Sequence, residues 1–255
     1  MCLLGKFCLV IENYLEHFSA STLNLFIRDK SKFILKVSGY DDFEGNPSTI
    51  RGAAVESQLL QVPFYKDKNI EEYLRDGKEF FKKELMGIRH KFDEKKVLKE
   101  LTDVPLYIMS GYSTYFNLKD APVNTQSKIT LDLPDVALPI IGYIDLECEN
   151  TVRDLKTVRA IPSSVPFGVQ RQLAIYSTAT NKEPWVDYVS KKHCTTYKVE
   201  RVEQIIKEVI AICKGIEKFL AISKDIKEIA SMFPPNRDSW EWNDDDNINW
   251  KKLGV

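Results

Sequence analysis

Hydrophobic residues in the first half of the chain recur every three to four positions, which is the period of amphipathic helices. Helices are expected from about Ser19 to Val37, from about Thr49 to Gln61, and as two segments within residues 69–115. The last two are expected to separate near Pro105 or Gly111, because both residue types interrupt helices. Residues 1–12 read as a short strand or a poorly ordered lead-in, and residues 41–48 as a loop.

From residue 127 the hydrophobic period changes to two, which predicts β-strands. Strands are expected at 127–133, 138–148, 151–158, 184–191 and 194–201, with helices at 164–180 and 202–223. This order predicts an α/β fold, with a mixed central sheet, a crossover helix and a helical N-terminal portion. We expect one domain over residues 1–255, comprising a helical part at about 13–120, a sheet core at about 125–223 and an acidic, turn-rich tail at 224–255.

One predicted hairpin, residues 142–158, brings two aspartates and a lysine together. With a two-residue turn after Cys148, Asp145 lies directly opposite Asp154. Opposed residues of an antiparallel pair have Cβ atoms about 5 Å apart on one face. Strand alternation brings Lys156 to that face as well. Apolar residues are expected on the opposite face, packed against helices: Ile144, Leu146 and Leu155.

This cluster has the composition of a divalent-metal site. Two facing carboxylates repel unless a cation lies between them, and Mg²⁺ is commonly held by one or two carboxylates together with water and phosphate oxygens. Asp145 and Asp154 are then the ligands, joined by the backbone carbonyl of Leu155. Lys156 can neutralise charge on a phosphate or orient an attacking water. The other interpretation is an exposed salt bridge between Asp154 and Lys156.

Composition narrows the class of protein. The 255 residues are 44% hydrophobic and 29% charged, as in ordinary globular proteins. A formal net charge of −1 gives no overall basic field, although nucleic-acid enzymes often confine positive charge to one groove. The five cysteines are scattered without a Cys-x-x-Cys pair, which predicts neither a zinc site nor a disulfide framework. We expect a cytoplasmic protein without membrane association, because no run reaches about 18 apolar residues.

The order of motifs resembles the PD-(D/E)XK nuclease superfamily, in its RecB-like and phage exonuclease branch. The matching segments are SASTLNLFIRDKSKFIL at 19–35, RGAAVE at 51–56, Gly-Tyr-Ile-Asp145, Asp154-Leu-Lys156-Thr and Gln172-Leu-Ala-Ile-Tyr176. They follow one another from about residue 19 to 180, so the combination is more specific than any single motif. The resemblance implies a restriction-endonuclease-like core.

The resemblance also implies roles for individual residues. Glu56 is the additional metal ligand beside Asp145 and Asp154, and Lys156 is the catalytic lysine. Many members of this branch have histidine where Glu56 stands, which bears on metal preference. The implied metal is Mg²⁺, with Mn²⁺ as an alternative.

Three further residues receive roles from the same resemblance. Gln172 orients the catalytic lysine or the scissile phosphate, and Tyr176 supports that helix face or touches DNA. Arg51 grips phosphate or forms a surface salt bridge. No iron–sulfur cluster is expected, because no cysteine follows Cys213 in a tail that otherwise resembles the segment holding such a cluster in some relatives.

The implied function is a Mg²⁺-dependent DNA nuclease, an exonuclease of phage or bacterial DNA recombination and repair, in a bacterial cell or a phage-infected host. Its partners would be DNA and a single-strand annealing or recombination protein. One alternative is a structure-specific or nicking endonuclease of the same superfamily. The other is a catalytically silent DNA-binding or assembly subunit. The complete set of acids and lysine argues against the silent subunit.

Overall fold

The computed structural model describes residues 14–40, 45–88, 91–239 and 242–254. The predicted strand or lead-in at 1–12 and part of the predicted loop at 41–48 lie outside these ranges. The helices are α1 (Ala20–Arg28), α2 (Lys30–Val37), α3 (Pro47–Leu59), α4 (Ile70–Met86), α5 (Glu94–Phe116), α6 (Phe167–Thr180), α7 (Val202–Leu220), α8 (Ile226–Met232) and α9 (Asp244–Lys252). The strands are β1 (Pro122–Leu131), β2 (Ile140–Cys148), β3 (Thr151–Thr157), β4 (Glu183–Val189) and β5 (Cys194–Lys198). None of the helices in the described ranges is both long enough and apolar enough to cross a bilayer.

The strands form one mixed sheet in the order β1-β2-β3-β4-β5. The first three strands are antiparallel neighbours, as the short predicted connections require. β3 and β4 are parallel, and α6 makes the crossover between them. β5 returns antiparallel to β4. The α/β class and the helical N-terminal portion are therefore confirmed, in an arrangement consistent with a restriction-endonuclease-like core.

Two hydrophobic clusters share the sheet. One joins it to the terminal and crossover helices and includes Phe33, Leu173 and Ile216. The other joins it to α3, α4 and α5 and includes Val55 and Tyr107. Helices thus pack on the sheet through two separate cores, and the strands between them carry buried residues along most of their length.

The first predicted helix is divided at Asp29. Its backbone is extended there (φ −151°, ψ 103°), and its carboxylate accepts hydrogen bonds from Lys32 N and Ser31 Oγ. Aspartate side chains compete in this way with the main chain for hydrogen bonds, which favours a helix start over a helix interior. The uninterrupted helix expected from about Ser19 to Val37 was therefore wrong, and α2 begins with Asp29 as its cap.

The expected break near Pro105 or Gly111 was also wrong, because both residues lie inside α5. The two helices separate instead before Asp93, whose side chain caps α5. Gly111 serves packing: a Cβ atom added there would lie 2.5 Å from Leu59 Cδ1. Glycine here allows α3 and α5 to approach each other closely.

The C-terminal segment adds helices to the first core. Ile229 of α8 and Trp250 and Leu253 in and beside α9 are buried in that cluster. The Lys32 Nζ atom of α2 pairs with the Asp246 carboxylate at 2.5 Å. The end of the chain is therefore packed against α2 as well as against the core.

Candidate active site

The hairpin of β2 and β3 has the register that the sequence predicts. Leu146 pairs with Arg153, which places Asp145 opposite Asp154. Beyond the pair of Leu146 and Arg153, a side chain joins the two strands where backbone hydrogen bonds would otherwise continue. Asp145 Oδ2 accepts a hydrogen bond from Leu155 N at 2.8 Å. Asp145 therefore lies where the two strands begin to separate.

The apolar residues around the hairpin do not all share one side. Leu146 and Leu155 belong to the cluster with α3 to α5, whereas Ile144 belongs to the other cluster. Their predicted common face was wrong for Ile144. In a regular strand Ile144 and Leu146 would lie on the same face. At Asp145, the residue between them, β2 pairs regularly with neither β1 nor β3.

Lys156 forms an ion pair with the fully buried Asp154. Its Nζ atom lies 2.9 Å from Oδ1 and 2.8 Å from Oδ2 of that carboxylate. Hydrogen-bond geometry is met only at Oδ1, so the contact with the buried Oδ2 atom is an ion-pair contact without a hydrogen bond. Burial by itself lowers the pKa of Lys156, but the Asp154 and Asp145 charges raise that pKa above its usual value. The lysine is therefore a cation at neutral pH.

Glu56 reaches the same place from α3. Asn46 starts this helix with a capping box, and Gly52 lets it pass close to β3, since a Cβ there would lie 3.2 Å from Thr157 Oγ1. Glu56 and Lys156 line a cleft of about 540 Å³ between α3 and the end of β3.

The site holds three carboxyl groups and one ammonium group. Burial and the Asp154 charge raise the pKa of Glu56, although Lys156 lowers it. Burial, then Asp154 and Glu56, raise the pKa of Asp145 well above its usual value. Burial also raises the pKa of Asp154, against the effect of Lys156. One lysine therefore faces three carboxyl groups, each of which binds its proton more tightly than an exposed acid does.

The carboxylate oxygens of this site are the kind of ligand that Mg²⁺ prefers. Within the described ranges, no group of three or more acidic, histidine or cysteine residues is arranged to hold a metal ion. Mg²⁺ needs fewer protein ligands, because it keeps several waters and accepts substrate phosphate oxygens. Asp145 and Asp154 would supply the principal carboxylates, and Glu56 an additional one. The backbone carbonyl of Leu155 stays a predicted ligand.

Gln172 and Tyr176 lie on one side of α6, one turn apart, and face the site together. The Gln172 Nε2 atom donates a hydrogen bond to Tyr176 Oη at 3.0 Å. Burial raises the pKa of Tyr176 to about 12, with contributions from the Asp154 and Asp145 charges. Gly142 makes room for the tyrosine, because a Cβ atom there would lie 2.6 Å from Tyr176 Cε1. Glycine at the first position of the Gly-Tyr-Ile-Asp segment is therefore required for Tyr176 to pack against β2.

Arg51 lines the cleft but is engaged inside the protein. Its Nη1 atom lies 3.1 Å from Glu100 Oε2 and donates to Tyr107 Oη at 2.9 Å. The side chain is buried, so the ion pair is not the surface salt bridge that the sequence suggested. The Arg51 Nε atom has no hydrogen-bond partner. Its expected contact with phosphate stays a prediction.

Sequence reasoning missed two residues at the site. Gln126 of β1 donates from Nε2 to Glu56 Oε1 at 2.9 Å. Tyr188 of β4 pairs in register with Lys156, and its buried hydroxyl has no hydrogen-bond partner. Strand alternation around Lys156 could have suggested a neighbour such as Tyr188 only if the parallel pairing of β3 and β4 had been known.

A second ion pair supports the strands behind the site. Arg153 contacts Asp187 through two hydrogen bonds, of 2.9 and 2.6 Å, and Tyr115 donates to the same carboxylate at 3.1 Å. Asp187 is fully buried, and its charge is one of the causes that raise the pKa of Asp154. This pair ties β3 to β4 and α5.

Comparison with known proteins adds little to this picture. No family model matches the chain. The search of curated proteins also finds no match. Among solved structures, the crystal structure of SSO0001 is similar, with a TM-score of 0.32 and 14% sequence identity over 62% of this chain and 73% of that one. So distant a likeness carries no argument about function.

Proposed function

We propose that the protein is a Mg²⁺-dependent deoxyribonuclease, an exonuclease that hydrolyses phosphodiester bonds in phage or bacterial DNA recombination and repair. The proposal draws on the motif order in the sequence and on the geometry of the hairpin. Its DNA partner would enter the cleft beside α3, and a single-strand annealing or recombination protein would use the cut strand.

One observation carries the proposal. Asp145, Asp154 and Glu56 come from three elements and each interacts electrostatically with Lys156, which lines the cleft together with Glu56. Burial raises the pKa of each of these acids. A purely structural ion pair needs only one of these acids. The excess of buried carboxylates supports a site completed by a divalent cation and a phosphate.

The residues have distinct tasks in this proposal. A bound Mg²⁺ supplies activation of water and stabilisation of charge on a phosphate oxygen. Lys156 stays protonated and therefore acts by neutralising negative charge that develops on the scissile phosphate, not as a base. Asp154 holds Lys156 in place, and Gln172 and Tyr176 present polar groups beside both.

The test compares Lys156→Ala with the native protein on end-labelled linear DNA in Mg²⁺. We expect Lys156→Ala to degrade DNA at least about 100-fold more slowly than the native protein, which is the usual scale when a charge-stabilising group is removed. Lys198→Ala is the matched control, because that lysine pairs on the surface with Glu183. Glu56→Gln, on a separate helix, gives a second variant whose fold does not depend on the Lys156 pair.

Two outcomes decide the proposal. Equal degradation by the native protein and both site variants would overturn it. A covalently closed circle distinguishes exonuclease from nicking endonuclease, since only the latter cuts it.

A further inference from the structure

Gln126 has an unusual backbone for a strand residue. Its φ angle is +53°, in the left-handed region. Within the described ranges, the other non-glycine residues with positive φ lie in a loop or at helix ends: Asp135, Asn181 and Arg201. Gln126 alone among them lies inside a strand, and left-handed residues other than glycine are disfavoured there.

The position of this residue relates it to the site. β1 pairs with β2 at Thr125–Leu146 and at Ser127–Ile144, which places Gln126 opposite Asp145. Asp145 is also the residue at which β2 separates from β3. The unusual backbone therefore lies directly beside a proposed metal ligand, and not at an arbitrary point of the strand.

The side chain of Gln126 contacts a second proposed ligand. Its Nε2 atom donates to Glu56 Oε1 at 2.9 Å, which links an exposed strand residue to α3 across 70 positions of sequence. An amide that donates to one oxygen fixes the rotation of the carboxylate and leaves the other oxygen for a further partner. Hydrogen bonds of this kind commonly orient carboxylates that bind metals.

We propose that Gln126 is a positioning residue: its left-handed backbone directs the amide to Glu56, and the amide holds that carboxylate in the orientation that binds the divalent cation. This inference rests on the proposed function, because it assigns a task toward the same metal. Backbone strain persists where the surrounding structure imposes it, and such sites are often functional.

The experiment separates the backbone from the amide with two variants. Gln126→Gly removes the amide and suits a positive φ, whereas Gln126→Ala removes the amide and keeps the unfavourable backbone. Mn²⁺ binding is measured by titration calorimetry, and thermal unfolding is measured without metal. We expect both variants to bind Mn²⁺ about 10- to 100-fold more weakly. We also expect the melting temperature of the glycine variant to equal or exceed that of the native protein.

Asn181→Gly is the control for backbone relief, because Asn181 has a similar φ of +55° at the end of α6. It should leave Mn²⁺ affinity unchanged. In a Glu56→Gln background, Gln126→Gly should weaken Mn²⁺ binding no further, since the two residues act as a pair.

The outcomes are distinct. Native-like Mn²⁺ affinity in Gln126→Gly, or an undiminished effect in the Glu56→Gln background, overturns the role of Gln126 and leaves the nuclease proposal standing. Absence of Mn²⁺ heat in the native protein removes the metal site and this inference with it. Weaker binding with an unimpaired melting temperature supports the inference, because a structural role alone would lower stability together with affinity.

Discussion

The carboxyl groups of Asp145 and Asp154 are largely shielded from solvent. This burial determines how the stability of the metal-free protein changes with pH. Burial is the first cause that raises the pKa of each acid. An acid with a raised pKa binds its proton more tightly in the folded state than in the unfolded state. Raising the pH above the ordinary carboxyl pKa of about 4 therefore favours unfolding, until the pH passes the raised value.

Asp145→Asn tests this linkage. Asparagine can still accept the Leu155 N–H but does not ionise. In EDTA at pH 8 we expect the variant to have a larger free energy of unfolding than the native protein, with the difference shrinking toward pH 4. Urea denaturation across this range measures the effect, and Asp135→Asn, an exposed loop acid, is the control. Parallel pH profiles for the native protein and Asp145→Asn would contradict the assignment.

Tyr188 presents a second residue-scale test. Its hydroxyl is buried without a partner, whereas Tyr197, packed edge-on against it, donates to the carbonyl of Pro162 at 3.0 Å. Burial raises the pKa of Tyr188 to about 12, so the hydroxyl stays neutral.

We expect Tyr188→Phe to be neutral or to stabilise the metal-free protein by up to about 1 kcal/mol. The substitution removes a buried hydroxyl that gives up its hydrogen bonds to water on folding and gains none in the protein. Tyr197→Phe should destabilise by about 1 kcal/mol, since it removes a formed hydrogen bond. Chemical denaturation of both variants checks the contrast. Equal losses would mean that a water or another group satisfies Tyr188.

At the scale of elements, close approach of helices and strands depends on a few glycines. Gly111 lies where α5 meets Leu59 of α3. Gly215 of α7 lies in a looser place, because a Cβ atom added there would lie 3.9 Å from Phe26 Cε1. The same substitution should therefore have opposite effects in the two helices.

Gly111→Ala should destabilise by about 1–3 kcal/mol, because the buried Leu59 cannot yield without repacking. Gly215→Ala should stabilise by about 0.5–1 kcal/mol through helix propensity alone. Thermal or urea unfolding compares them. A stabilised Gly111→Ala would show that α3 and α5 can separate at little cost, which would loosen the helix that positions Glu56.

Element boundaries also show where local patterns fail. The apolar period across 19–37 is continuous, yet Asp29 ends one helix and caps the next, because its carboxylate satisfies main-chain donors. Pro105 and Gly111 suggested a break that burial of neighbouring Val104, Tyr107 and Ile108 overrides. At Asp29 a local side-chain hydrogen bond outweighs the apolar period, whereas at Pro105 and Gly111 packing of the helix outweighs local propensity.

For the whole molecule, the metal should contribute to stability. A ligand present at 100 times its dissociation constant stabilises the folded state by about 2.7 kcal/mol, which corresponds to a rise of about 5–10 °C in melting temperature for a chain of this size. We expect Mg²⁺ or Mn²⁺ to raise the melting temperature of the native protein by this amount and of Asp145→Asn by much less. Scanning calorimetry with and without EDTA measures the shift. Equal shifts in the two proteins would place the metal elsewhere.

The candidate site divides between what could and could not be predicted. Turn length predicts that Asp145 lies opposite Asp154, and strand alternation predicts that Lys156 lies on the same face. Both are properties of neighbouring residues. The resemblance of the motifs, and no pattern of neighbouring residues, predicted that Glu56, Gln172 and Tyr176 belong to the site. Gln126 and Tyr188 escaped prediction, because their approach depends on how β1 and β4 pair and on one left-handed residue.

The sequence by itself therefore determined the α/β class and the hairpin with its acids and lysine, since hydrophobic period and turn length act over a few residues. Tertiary structure alone decided that Asp154 is fully buried, that Arg51 is paired with Glu100 inside the protein, and that Gln126 holds Glu56. The physical reason is distance along the chain: burial and long-range hydrogen bonds depend on the whole packed arrangement, which no local pattern contains.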